Sequence, residues 1–167
     1  MGMELVPITP ENALVFKMVR LRALKTDPTA FGSTHANESL LNDEAWIQRV
    51  RDWGSTRVGF LAMNGELRCG MAAAFPDPDD TACAQLVSMW VAPECRRIGV
   101  GRVLIDAIKS WAAVHNLREL RLFVTSMNQG AIDFYIRNGF AMTGRTEPYP
   151  NDPMLVEFEM TISIKRN

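Results

Sequence analysis

Short apolar runs, some at helical and some at alternating spacing, are parted by proline and glycine along the whole chain. Glu4 to Ile8 predicts a short strand. Thr9 then stands as an N-cap, with Pro10 at the first helical position and Glu11 in the first turn. Leu14, Met18, Leu21 and Leu24 recur at helical spacing, with Val15 and Arg22 between them. Asp27-Pro28 ends that helix, because the residue before proline is pushed out of the α region. Thr29 to Asn42 is less decisive, a short helix around His35 to Leu40 being one reading, and Asp43 caps a helix that carries Trp46, Ile47 and Val50 on one face. Arg57 to Met63 and Glu66 to Phe75 predict two strands joined by Asn64-Gly65 in a type I′ turn, both of whose central residues need positive φ.

Pro76 to Asp80 is a loop by composition. Ala84 to Ala92 predicts a buried strand that stops at Pro93. Gly99 to His115 predicts a long helix with Val103, Leu104, Ala107, Ile108 and Trp111 on one face. Glu119 to Thr125 is a further strand, and Asn128 to Asn138 a helix that Gly139 terminates. Two last strands, about Phe140 to Arg145 and Met154 to Ile164, flank a proline-rich loop, Pro148 to Pro153. The order β-α-α-β-β-β-α-β-α-β-β describes an α/β layer structure around one sheet. With no repeat and no linker, residues 1–167 are expected to form a single domain.

Composition narrows the partners. With 47% apolar and 22% charged residues, a chain of 167 residues builds an ordinary core and needs no disulfide or metal staple. A net charge of −1 and a pI near 6.1 argue against a nucleic-acid binder, which carries a basic excess. Cys69, Cys83 and Cys95 are odd in number and lack a C-x-x-C pair, and His35 and His115 lie far from them, so free thiols and no metal are expected. The amino terminus has neither a basic nor an apolar leader region, and no apolar run approaches a membrane span. A soluble, cytoplasmic protein is the expectation.

The most informative segment runs from Leu86 to Leu104. A strand leaves through Ala92-Pro93-Glu94, turns through Arg96, Arg97, Gly99 and Gly101, and feeds a helix. Glycine lets a backbone come close to a ligand. The unpaired N–H groups of a helix's first turn, with its dipole, form an anion site. Two arginines just upstream make a phosphate or pyrophosphate the natural guest. A P-loop is excluded because Arg102-Val103 follows Gly101, and the dinucleotide fingerprint because Leu104 stands where its third glycine belongs. The plain alternative is a tight turn with solvated arginines.

Met89-Trp90-Val91-Ala92-Pro93-Glu94-Cys95-Arg96-Arg97-Ile98-Gly99-Val100-Gly101 resembles the coenzyme A motif of the GNAT (Gcn5-related N-acetyltransferase) superfamily, Arg/Gln-x-x-Gly-x-Gly/Ala after a strand. Asn128-Gln129-Gly130-Ala131-Ile132-Asp133-Phe134-Tyr135-Ile136-Arg137-Asn138-Gly139-Phe140 resembles a second pattern of that superfamily, at its usual distance. The resemblance implies a mixed, mostly antiparallel central sheet of about seven strands, with helices on both faces and a splay between the fourth and fifth strands. It also implies acetyl-CoA as donor and an N-acetyltransferase reaction, by direct attack of a primary amine in a ternary complex.

By the same resemblance, Arg96 and the backbone amides of Arg97, Ile98, Gly99, Val100, Gly101 and Arg102 receive the pyrophosphate. Met89 and Val91 would offer main-chain hydrogen bonds to the pantetheine arm, which inserts like an extra strand beside Leu120 to Val124. Asn128 would bond the arm from the far side, Phe134 pack beside it, and Arg137 lie near the adenosine. Tyr135 is the expected general acid: a phenol near ~10 gives its proton to a thiolate whose acid sits near ~8.5, a mildly uphill transfer. Its plain alternative is a ring packed under the sheet. A backbone N–H near Met89 or Trp90 would stabilise the oxyanion. The base is not legible. Gln85 stands where several relatives carry glutamate, Ser88 could act only through water, and Glu38, Glu44 and Glu147 are candidates more naturally read as solvated carboxylates.

Arg20 to Thr34 resembles one subgroup of small bacterial members, in which this region lies over the acceptor pocket. Phe31, Gly32 and Ser33 are therefore lining candidates, with Gln85 and, from the proline-rich loop, Tyr149. The leading acceptor is a small-molecule amine. A protein or peptide amino group, an acyl group larger than acetyl (which Trp90 would restrict) and a non-catalytic acyl-CoA sensor stay open. Asp77, Asp79 and Asp80 read as solvated loop carboxylates. The apolar alternation from Met154 to Met160 is compatible with a homodimer and equally with an internal strand.

Overall fold

The computed structural model describes residues 2–165. Its strands are β1 (Glu4–Pro7), β2 (Val58–Asn64), β3 (Leu67–Pro76), β4 (Cys83–Val91), β5 (Glu119–Thr125), β6 (Ala141–Tyr149) and β7 (Asp152–Ser163). They form one seven-stranded sheet in the order β1-β2-β3-β4-β5-β7-β6. Every neighbouring pair is antiparallel except β4 and β5, which are parallel. The helices are α1 (Ala13–Thr26), α2 (His35–Glu38), α3 (Asp43–Trp53), α4 (Val100–Val114) and α5 (Gln129–Arg137). Cys69 to Ala74 of β3 are buried without alternation, the signature of a strand covered on both faces, and α1 and α4 are the helices against it. No helix among the described residues is long and apolar enough to cross a membrane.

Several elements differ in detail from the sequence expectation, each for a packing reason. The buried side of α1 carries Phe16, Val19, Ala23 and Leu24, whereas Leu14 and Met18 are 39% and 52% exposed. Phe16 sets that rotation by making edge-to-face contacts with Trp46 and Trp53 of α3, at centroid distances of 5.7 and 5.5 Å. The chain enters α1 through a 3₁₀ turn, Pro10–Asn12, in which the Thr9 N–H donates to Asn12 Oδ1 at 2.8 Å. Asn42, not Asp43, caps α3, accepting from the Ala45 N–H at 2.9 Å. In α4 the buried stripe is Leu104, Ile105, Ile108 and Ala112, with Val103 turned outward.

The β2–β3 hairpin forms as expected, but Asn64 pairs with Leu67, so the turn is Gly65-Glu66. Only Gly65 has positive φ (61°), the pattern of a II′ turn with glycine first rather than I′. The expected loop from Pro148 to Pro153 is instead mostly strand. Tyr149 pairs with Asp152, leaving Pro150-Asn151 as the whole connection between β6 and β7. In β7 the expected alternation ends in a fully buried Met160, while Met154 is 88% exposed beyond the sheet's covered region.

Candidate active site

The site begins with a local irregularity in β4. Ala73 pairs with Val87 and Met71 with Trp90, so Ser88 and Met89 together oppose the single residue Ala72. This is a β-bulge, with Ser88 at φ 54°. Gly70 makes room for it, since a Cβ there would stand 2.5 Å from the Trp90 carbonyl oxygen. On the other side, the parallel ladder with β5 covers only Cys83 to Gln85 against Glu119 to Arg121. Beyond it the strands part, and β5 continues with β7 alone, Val124 on Phe158 and Thr125 on Glu157. The main chain of β4 from Leu86 to Val91 thus forms an edge inside the sheet, ready to receive an extended ligand.

A cleft of about 1060 Å³ opens on one side of this splay. Its walls include Met89, Trp90, Val91, Arg96, Arg97, Gly99, Val100, Gly101, Arg102, Asn128, Phe134, Tyr135 and Arg137, so the structure brings these thirteen expected residues together. Ile98 is not in the wall and is 67% exposed. Arg97 at φ 64° and Gly99 at φ 92° give the turn two left-handed residues, the backbone setting from which an anion nest is built. Gly99 then caps α4 without any side chain bonded to the first-turn amides. Gly101 serves packing instead. A Cβ there would lie 2.7 Å from the Phe134 ring, so its absence lets α4 sit down on α5. Arg96 differs from expectation. Its Nε donates to the Val91 carbonyl at 2.9 Å and its Nη2 to Asp27 Oδ2 at 2.7 Å, which leaves Arg97 the freer charge. Lys109 is a further cation in the wall that sequence reasoning passed over, since within a helix it reads as a solvated lysine.

Tyr135 packs between Phe134 and Phe140, at 5.4 and 5.6 Å between centroids, and its burial pushes the phenol well above its ordinary value. Its hydroxyl bonds to no described residue. Asn128 Oδ1 is occupied, accepting from the Ala131 N–H at 3.2 Å as the cap of α5. The cysteines are buried and free. Burial and the neighbouring Cys69 raise the Cys95 thiol to about 12, and burial and Asp80 raise Cys83 to about 11. Cys95 Sγ stands 2.6 Å from Cys69 Sγ. Neither raised thiol is a nucleophile at neutral pH.

A second pocket, about 430 Å³, lies across β4 and is lined by Phe31, Gly32, Ser33, Gln85 and Tyr149, the five acceptor-side candidates. Ala30 belongs to both walls, and the successive residues Ser88 and Met89 line one each. A strap from Asp27 to Ser33 runs from one cleft to the other, with Asp27 in the wall of the larger and Ala30 to Ser33 in the wall of this pocket, and it is tied at both ends. Asp27 Oδ2 accepts from Trp90 Nε1 at 2.7 Å as well as from Arg96. At the other end the Tyr149 hydroxyl donates to the Phe31 carbonyl at 2.6 Å, and Asn151 Nδ2 to Phe31 and Ser33 carbonyls at 3.0 and 3.1 Å.

The carboxylates sort clearly in this frame. Glu38 is not solvated but 5% exposed. Burial pushes its carboxyl up, but hydrogen bonds from Arg20 and Arg49 outweigh that and hold it below the ordinary range. Glu44 is exposed and outside the pocket, and Glu147 pairs with Arg145 at 2.7 Å. Asp77 is likewise no solvated loop residue: it is 5% exposed, accepts from Gln85 Nε2 at 3.1 Å, and faces Arg121. Gln85 is therefore held by Asp77. Glu157, which no sequence signal separated from its neighbours in β7, lines the pocket with no cation bonded to it among the described residues. Burial, aided by the Glu147 charge, pushes its carboxyl above the ordinary value.

Residues 20–140 match the model of the acetyltransferase (GNAT) family. The peptidyl-lysine N-acetyltransferase YjaB of Escherichia coli is 35% identical over 99 residues, 56% of this chain and 52% of that protein, so the chain spans about half the relative's length. An N-acetyltransferase of Staphylococcus aureus superposes with a TM-score of 0.81 at 15% identity, covering 99% of this chain and 100% of that one. The PaiA N-acetyltransferase of Thermoplasma acidophilum, solved with coenzyme A, gives 0.77 at 18% identity, covering 98% and 99%. At such identities the structural likeness is one of fold.

Proposed function

The chain belongs to the acetyltransferase (GNAT) family, and from that premise we propose that it transfers an acetyl group from acetyl-CoA to a primary amine of a small molecule, both reactants being bound at once. The observation that carries this reading is the meeting of two unlike clefts at the β4–β5 splay. One ends at a helix N-terminus whose amides no side chain caps, and the other holds a carboxylate with no bonded cation among the described residues. The first suits a pyrophosphate, the second an ammonium group.

The coenzyme fits the larger cleft by the chemistry of its walls. The nest at Arg97 to Gly99, the first-turn amides of α4, and the charges of Arg97 and Lys109 would hold its phosphates. The main chain of Met89 and of Val91, whose carbonyl already accepts from Arg96, would hold the arm with Asn128 and Phe134 opposite. Bound there, acetyl-CoA supplies an acyl group already activated as a thioester. The chain's residues supply proton traffic and orientation. Glu157 would orient the amine through its ammonium and take its proton, since a carboxylate raised toward neutrality is the better base. Tyr135 would return a proton to the departing sulfur. Its raised value keeps it protonated, and the same apolar surroundings raise the departing thiol too, because a buried thiolate is also costly. The burial that raises the Cys83 and Cys95 thiols supports direct transfer over a covalent enzyme intermediate. The tied strap in the pocket's wall favours a small amine over a peptide, although the Escherichia coli relative is named for peptidyl-lysine.

Calorimetric titration with acetyl-CoA tests the first half. Wild type should bind and Gly99→Asp should not, because a carboxylate in the nest repels the pyrophosphate. Circular dichroism of the variant checks that it has folded. An amine panel read by thiol release tests the second half. Binding without turnover on any amine would replace the enzyme with an acyl-CoA sensor, and no binding by wild type would remove the coenzyme reading.

A further inference from the structure

The acceptor pocket has two poles of opposite charge. At one, Glu157 of β7 lines the wall with no cation bonded to it among the described residues. At the other, Arg20, Arg49 and Arg57 line the wall. Arg20 and Arg49 converge on Glu38, with Arg20 Nη2 at 2.8 Å and Arg49 Nη1 at 2.7 Å from its oxygens. The wall therefore carries three guanidinium groups, two of them bonded to the one carboxylate Glu38 and the third on the exposed Arg57. Arg57 is the uncompensated one. It bonds to no carboxylate among the described residues, and its guanidinium lies over the Phe75 ring, 4.8 Å from the centroid. That contact positions the group without neutralising it.

We infer that the acceptor carries an anionic group, a carboxylate or its equivalent, several bonds from its amine, and that Arg57 with Arg49 receives it. This rests on the proposed reaction, in which the amine goes to the Glu157 pole beside the splay. The distance between poles follows from the sheet. Arg57 precedes β2 and Glu157 is on β7, four strand spacings apart in the order β2-β3-β4-β5-β7. At ~4.8 Å per spacing that is at least roughly 19 Å between backbones, and more because β4 and β5 part beyond Gln85 and Glu157 stands four residues further along β7 than the level of Arg57; the two side chains shorten it from both ends. An α-amino acid is too short to touch both poles. A polyamine would place a second ammonium among three guanidiniums. The acidic cluster that would welcome it is engaged elsewhere, with Asp77 on Gln85 and Asp80 on Arg121 at 3.1 and 3.4 Å. Carboxylate recognition by arginine uses its fixed fork of donors, and lysine replaces only the charge.

The test is a ladder of ω-amino carboxylates from β-alanine to 6-aminohexanoate, with alkylamines and diamines of matched length. Thiol release gives kcat/KM, and quenching of Trp53 in the pocket wall gives affinity without turnover. The longer amino carboxylates should exceed their matched alkylamines and diamines by about 10- to 100-fold, the range of a charge-assisted hydrogen-bond pair. Arg57→Ala should collapse that ratio, Arg57→Lys should keep part of it, and Arg57→Glu should invert it toward diamines, a gain that a misfolded variant cannot mimic. Equal or better use of the alkylamine or diamine by wild type overturns the inference. If no amine is acetylated, the reaction proposed above fails, and the affinity ratio in wild type and Arg57→Glu still decides the charge preference of the pocket.

Discussion

At Tyr135 the phenol is 8% exposed between two phenylalanines, and burial alone raises it. Replacing it with phenylalanine keeps the ring contacts and removes only the proton. Tyr135→Phe should therefore lower kcat by about 10²- to 10⁴-fold, the usual contribution of a general acid, with acetyl-CoA affinity nearly unchanged. Pre-steady-state thiol release would show it. Glu157 gives a second prediction, in stability. Its folded value is raised, so charging it in the pocket costs stability that is present below the unfolded value and lost as pH rises through the folded one. Glu157→Gln should raise the Tm at pH 8 and leave it near wild type at pH 4, while catalysis falls. A variant melting lower than wild type at both pH values would contradict the assignment of an unpaired carboxylate. Tyr135, the proposed acid, was legible in the sequence because it sits inside a motif. The Glu157 carboxylate was not, because alternation along β7 gives two glutamates, 157 and 159, and only the packed sheet shows which one lines the pocket.

Among the elements, the strap from Asp27 to Ser33 couples the two clefts. Asp27 ends α1, and its Oδ2 accepts from both Trp90 of β4 and Arg96 of the turn before α4. Arg22 of the same helix binds Glu94 through two hydrogen bonds of 2.7 and 2.8 Å, and Glu94 is drawn down to about 2 chiefly by that partner. Loosening the strap should thus be felt at the coenzyme. Asp27→Asn is expected to weaken acetyl-CoA binding several-fold, and Arg96→Ala should add less in that background than alone. A double-mutant cycle by calorimetry should give a coupling of about 1 kcal/mol, modest because both partners are partly exposed. Additive effects would mean that the strap and the turn before α4 act separately. In the sequence Asp27 was visible only as a helix stop before proline, and Arg96 as a phosphate ligand. Their pairing across 69 positions depends on α1 and β4 lying side by side.

For the whole molecule, the splay predicts where a bound coenzyme is felt. Amides of 86–91, 97–102 and 128–135 should gain hydrogen-exchange protection on addition of acetyl-CoA, while β1 to β3 should not. Protection spread evenly over the sheet would argue for a global stabilisation and not a cleft. The sequence by itself determined the order of elements, the buried strand leading into the glycine turn, the helix N-terminus and the α5 aromatic pair. These are local matters of period, capping and backbone freedom, which neighbours in the chain decide. The face that α1 buries, the turn type at Gly65, the captivity of Glu38 and Asp77, and the two charged poles of the acceptor pocket were decided only in the tertiary structure. Burial and ion pairing depend on which distant side chains meet, and a carboxylate's role changes with whether an arginine from another element reaches it.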